Sequence, residues 1–140
     1  MITFVCGQLC SGKSLYAKTL ASIYKGIFVE VGDIVREVKR TMDRKLLQES
    51  AHLSAFIVEH LKVRTQFVSD AVISGVRQKC ILEAFPEATL LWIDCPLETR
   101  KQRYSQRSRE GDNILTFEEA EQGDIDLGIL EVKQYIFNRV

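Results

Sequence analysis

Short apolar runs alternate with longer amphipathic stretches along the chain, and glycines mark many of the junctions. Residues 2–6 (ITFVC) predict a buried strand running into a glycine turn. Residues 13–24 (KSLYAKTLASIY) predict a helix, with Leu15, Leu20 and Ile23 near one face, Lys13 and Lys18 elsewhere, and Gly26 as the stop. Residues 27–31 (IFVEV) predict a second strand; Gly32 and Asp33 then form a turn, with Asp33 as the N-cap of a helix beginning at Ile34. A further helix is expected from about 44 to 61. A third strand at 71–74 (AVIS) ends at Gly75, a helix spans 78–85, and a fourth strand at 88–94 (ATLLWID) leads to Pro96, which opens a charged helix. Residues 134–137 (QYIF) predict a fifth strand. Strands alternating with helices imply parallel pairing through right-handed crossovers, hence an α/β fold of three layers. There is no internal repeat or long linker, so residues 1–140 read as one unit.

Composition narrows the class without naming a chemistry. At 140 residues, with 46% hydrophobic and 27% charged positions, the chain can bury a sheet covered on both faces. No apolar run approaches the roughly 18 residues of a membrane span, and the start of the chain shows no export signal, so a cytoplasmic location is expected. Nineteen Lys and Arg against nineteen Asp and Glu give no net charge, so any anion site has to be local. Cys6, Cys10, Cys80 and Cys95 lack zinc spacing and read as reduced thiols. His52 and His60 have no metal-site context and receive no role.

The segment 7–14, Gly-Gln-Leu-Cys-Ser-Gly-Lys-Ser, has the pattern G-x-x-x-x-G-K-[ST] and lies between an apolar strand and an amphipathic helix. In that context the glycines let backbone N–H groups turn inward, and the helix N-terminus adds its positive dipole end, which together cradle a polyphosphate. The expected ATP site comprises Gly7, Ser11, Gly12, Lys13, Ser14 and Leu15, with Lys13 charging the β- and γ-phosphates and Ser14 offering its hydroxyl to Mg²⁺. No N-K-x-D follows for guanine. Asp94, at the end of the fourth strand, is the acidic strand terminus and a second metal candidate.

Phosphoryl transfer also needs an acceptor site and cations around the moving group. Asp33 and Arg36 after the second strand and Arg77 after the third are the acceptor-side candidates, because α/β ligands bind at the carboxyl ends of strands. The segment 100–112 (RKQRYSQRSREGD) places Arg100, Arg103 and Arg107 on one helical face and reads as a lid over about 100–115, with Arg107 and Arg109 closing over the triphosphate. Lys13, Asp33, Arg103 and Arg107 are the catalytic candidates, and residues about 33–65 the acceptor-side helices.

Together GQLCSGKS, VGDIVREV, RKLLQ, VISGVR, the arginine lid and FEEAEQGDIDLGILEV resemble the P-loop kinase group that includes adenylate kinase-like enzymes, dephospho-coenzyme A kinase and phage deoxynucleoside monophosphate kinases. The resemblance implies a five-stranded parallel sheet of order 2-3-1-4-5 and in-line transfer of the γ-phosphate of ATP with Mg²⁺. It also implies acceptor contacts from Asp33, Arg36 and Arg77, and lid contacts from Arg103, Arg107 and Arg109. The acceptor it suggests is a (deoxy)nucleoside monophosphate. A larger acceptor, such as a modified base or end within DNA or dephospho-coenzyme A, is an alternative, and a non-catalytic ATP-binding switch or assembly subunit is another. Ser74 and Gly75 stand where relatives often carry an acidic residue, with Asp33 or Asp94 available to replace it.

Overall fold

The computed structural model describes residues 1–41, 50–107 and 115–139. Its elements in chain order are β1 (Ile2–Gly7), α1 (Lys13–Tyr24), β2 (Ile27–Glu30), α2 (Val31–Thr41), α3 (Ser50–Thr65), β3 (Ala71–Ser74), α4 (Lys79–Glu83), β4 (Thr89–Ile93), α5 (Leu97–Gln106), α6 (Phe117–Leu127) and α7 (Ile129–Asn138). The strands form a parallel sheet of order β2-β3-β1-β4.

Period-two alternation along each strand builds two cores, one on each face. Phe4, Cys6, Val29, Ile73, Leu90 and Trp92 point to one side and pack against α2, α3, α4 and α7 through residues such as Ile34, Leu61, Leu82 and Val132. Val5, Val72, Phe28, Leu91 and Ile93 point to the other side, where α1 lies. The fold is therefore the three-layer α/β sandwich that the alternating pattern predicts. Among the described residues no helix is long and apolar enough to cross a membrane.

Two expectations are corrected, and the packing of α1 adds a detail. The expected order 2-3-1-4-5 is met in its first four strands, but residues 134–137 are helical and contribute no fifth strand. They belong to α7, where Ile129, Val132 and Ile136 recur at helical spacing and are buried together. The helix α1 meets the sheet through Ala17 and Ala21, with Leu20 packed beside them, whereas Leu15 is 73% and Ile23 68% exposed, and Leu15, Leu20 and Ile23 line one groove. Small residues let the helix approach the strands closely. Finally, β2 passes straight into α2 at Val31, so Asp33 lies inside the first helical turn instead of capping it. Residues 44–49 of the predicted second helix lie outside the described residues; the helix that follows runs from Ser50 to Thr65.

Candidate active site

The loop between β1 and α1 has the backbone that its glycines allow. Gly12 takes φ +91° as the N-cap of α1, and Cys10 takes φ 60°, in the left-handed region that most residues avoid. Gly7 has no room for a side chain, since a Cβ there would lie 2.3 Å from Ser11 Oγ and 2.9 Å from the Ile93 carbonyl oxygen. The parallel register that sets Gly7 beside Ile93 on β4 causes this crowding.

Lys13 Nζ donates to the Gln8 carbonyl at 3.3 Å across the loop. Burial of the ammonium, and then the positive charge of Arg77, push the Lys13 pKa below the ordinary lysine range, while Asp124, Glu30 and Cys10 act in the opposite sense. An anion that bound here would relieve the first two penalties. The side chains named also define a neighbourhood, because strand ends and α6 bring two carboxylates and a second cation around the lysine.

One of these carboxylates went unnoticed in the sequence. Glu30, the last residue of β2, accepts a hydrogen bond from Ser14 Oγ at 2.6 Å and another from Ser74 Oγ at 2.8 Å. Its signal is a lone acid closing an apolar strand at the carboxyl edge of the sheet, where α/β proteins bind ligands. Neither Asp33 nor Asp94 takes this place: Asp33 is exposed and pairs with Arg36, and Asp94 is exposed just beyond β4.

Asp124 is the other missed residue. It is buried in α6 and its Oδ1 lies 3.2 Å from Arg77 Nε, so a helix some fifty positions away in sequence fixes the guanidinium that follows β3. Only the tertiary fold joins them.

Of the three arginines expected on one helical face, Arg100 and Arg103 lie on α5, whereas Arg107 follows its last residue as an extended C-cap, so the helix stops one position short of it; each still reaches the phosphate loop. Arg100 donates to the Leu9 carbonyl, Arg103 to the Cys10 carbonyl at 3.2 Å and to Cys95 Sγ, and Arg107 to Cys10 Sγ at 3.2 Å. Their environments differ. Arg100 is 5% exposed, pairs with Glu121 and lies over the Phe117 ring, a structural anchor; Arg103 is exposed and Arg107 half-buried. Arg109 lies outside the described residues. A cavity of about 220 Å³ is walled by Cys10, Gly12, Lys13, Ser14, Arg103 and Arg107. An apolar groove of about 440 Å³ continues from it along α1, past Leu15, Tyr16, Thr19 and Ile23.

The oxygen donors Ser14 and Glu30, in contact beside the lysine, suit a hard cation such as Mg²⁺, and the cationic cavity suits a polyphosphate. Ser11 Oγ, beside Gly7, is buried in the loop without a hydrogen-bond partner among the described residues.

A family model described as AAA domain matches residues 2–125. The chain belongs to the AAA domain family. No curated protein matches the sequence. Among solved structures, shikimate kinase from Bacteroides thetaiotaomicron is similar with a TM-score of 0.67 at 14% identity, over 100% of this chain and 83% of that one. Shikimate kinase from Acinetobacter baumannii in complex with shikimate gives 0.62 at 16% identity, over 99% and 78%. A sugar kinase from Janibacter gives 0.58 at 18% identity, over 90% and 76%. At these identities the likeness concerns the fold, which is that of the P-loop kinases.

Proposed function

We propose that the protein transfers the γ-phosphate of ATP, with Mg²⁺, to a small acceptor that carries an anionic group. The observation that carries this reading is the convergence on one cavity of Lys13, Ser14 with its partner Glu30, and two arginines, Arg103 on α5 and Arg107 just beyond its end. Lys13 and the inward-facing N–H groups hold the β- and γ-phosphates, and Ser14 and Glu30 hold Mg²⁺, which offsets the charge that develops on the transferred group. Arg103 and Arg107 exchange their loop contacts for phosphate oxygens. The groove along α1 shares Gly12, Leu15 and Arg103 with the phosphate cavity, so the base of the nucleotide lies there.

On the acceptor side Arg77, half-exposed and pinned by Asp124, binds the acceptor anion close to Lys13. Arg36 contributes at the rim once it leaves Asp33, whose carboxylate is then free to accept the acceptor's proton. A nucleoside monophosphate is the acceptor that the sequence resemblance favours. A hydroxy acid is the second reading, favoured by the similar fold of a kinase in complex with shikimate. The test is mass spectrometry after incubation with ATP, Mg²⁺ and a panel of nucleoside monophosphates, oligonucleotides, dephospho-coenzyme A and shikimate. One acceptor gains a phosphoryl group, and Lys13→Ala abolishes the gain while the protein stays folded. ATP bound with every acceptor left unmodified would instead support a nucleotide-binding switch.

A further inference from the structure

The carboxylate at Glu30 is held from two sides. Its Oε2 accepts from Ser14 Oγ and from Ser74 Oγ. Its Oε1 faces Gly75, where a Cβ would lie 2.5 Å away, and Gly32, where it would lie 3.6 Å away. Gly75 takes φ +90°, a conformation that a residue with a side chain adopts only under strain. The parallel register pairs Glu30 directly with Ser74, whose side chain is fully buried, so these contacts follow from the sheet itself.

We infer that Ser74 and Gly75 form a seat that fixes the Glu30 carboxylate against Ser14, making Ser74 a positioning residue for the divalent cation bound with the nucleotide. The inference rests on the reading of Ser14 and Glu30 as the metal-holding pair. Ser14 donates its one hydroxyl proton to Glu30, which leaves its lone pairs directed away from the carboxylate and free to meet a cation. Ser74 fills the other approach to Oε2 and removes the rotamers in which Glu30 would swing off Ser14. Gly75 leaves the space that Oε1 needs. β2 supplies the acid, and β3 supplies the hydroxyl and the gap that aim it. Partners that orient a metal ligand typically change metal affinity about 10–100-fold when removed.

The experiment measures Mn²⁺ binding to the protein–ATP complex by electron paramagnetic resonance, together with ATP affinity in the presence of a chelator. Glu30→Ala and Ser74→Ala each weaken Mn²⁺ by about tenfold or more, and Ser74→Thr, which keeps the hydroxyl, restores most of the affinity. Metal-free ATP affinity changes by less than about threefold in each variant. The double variant Glu30→Ala/Ser74→Ala loses no more than Glu30→Ala alone, because a seat without its carboxylate has nothing to position. Gly75→Ala is the second probe and also weakens Mn²⁺. Unchanged Mn²⁺ affinity in Ser74→Ala, with Glu30→Ala impaired, overturns the seat and leaves the metal pair standing. Unchanged affinity in Glu30→Ala overturns both.

Discussion

Arg100→Ala separates structure from chemistry on α5. Arg100 is 5% exposed and its guanidinium joins Glu121, the Leu9 carbonyl and the face of Phe117. Its removal leaves the Glu121 carboxylate, 19% exposed, facing an apolar gap. Breaking a buried pair by deleting one partner costs about 3–5 kcal/mol; the residual solvent access of Glu121 pulls this toward the lower bound, and loss of the ring contact adds roughly 0.5–1 kcal/mol. The expected loss is about 3–4 kcal/mol. A chain of this length has a total stability of roughly 7–21 kcal/mol, so the variant still folds. At about 3–5 °C per kcal/mol, its melting temperature falls by about 9–20 °C. Urea unfolding followed by circular dichroism measures the loss, with Arg103→Ala as the control on the same helix face; exposed Arg103 costs less than about 1 kcal/mol. Adding Glu121→Ala to Arg100→Ala recovers part of the loss, since the stranded charge is gone. The reasoning fails if Arg100→Ala costs under about 1 kcal/mol, or if it costs no more than Arg103→Ala.

Two further outcomes are expected. Gly7→Ala destabilises by about 1–3 kcal/mol and weakens ATP binding, because the Ile93 carbonyl on β4 cannot move away from the new Cβ; unchanged urea midpoints and calorimetric affinities would contradict this. The Cys6 thiol, pushed up to about 12 by burial, keeps its proton in the folded protein while the unfolded chain releases it near 9.0. Its contribution is therefore intact below about pH 9 and declines as pH rises toward 12, so stability falls over that window in the native sequence and falls less in Cys6→Ala. Identical alkaline slopes for the two proteins would refute the assignment.

The strand–loop–helix at the start of the chain is legible because every signal in it is local: an apolar run, glycines at fixed offsets, and helical spacing. Residues 71–74 read equally well, being an apolar run closed by Gly75. The misread fifth strand shows the limit of short windows, since QYIF taken alone favours a strand, whereas the spacing of Ile129, Val132 and Ile136 over eight residues specifies a helix. Which face of α1 meets the sheet was not legible from residue type, because the close approach selects the alanines Ala17 and Ala21. Site residues divide on the same line. Lys13 and Ser14 belong to a contiguous motif, and Arg100 and Arg103 to a helical period. Glu30 carries only the weak local signal of an acid at a strand end, and its role, like that of Asp124, becomes clear through distant partners, Ser74 44 positions away for one and Arg77 47 positions away for the other.

The contacts of Arg103 and Arg107 have a thermodynamic consequence of their own. These guanidinium groups engage the carbonyl and the thiol of Cys10. A polyphosphate entering the loop therefore competes with an internal occupant, and its measured affinity is a difference between two sets of contacts. Cys10→Gly, which removes one of Arg107's partners and suits the left-handed backbone at that position, lowers the cost of release. If the loop holds a polyphosphate as proposed, these internal contacts are a built-in ballast that moderates its affinity and hastens its departure.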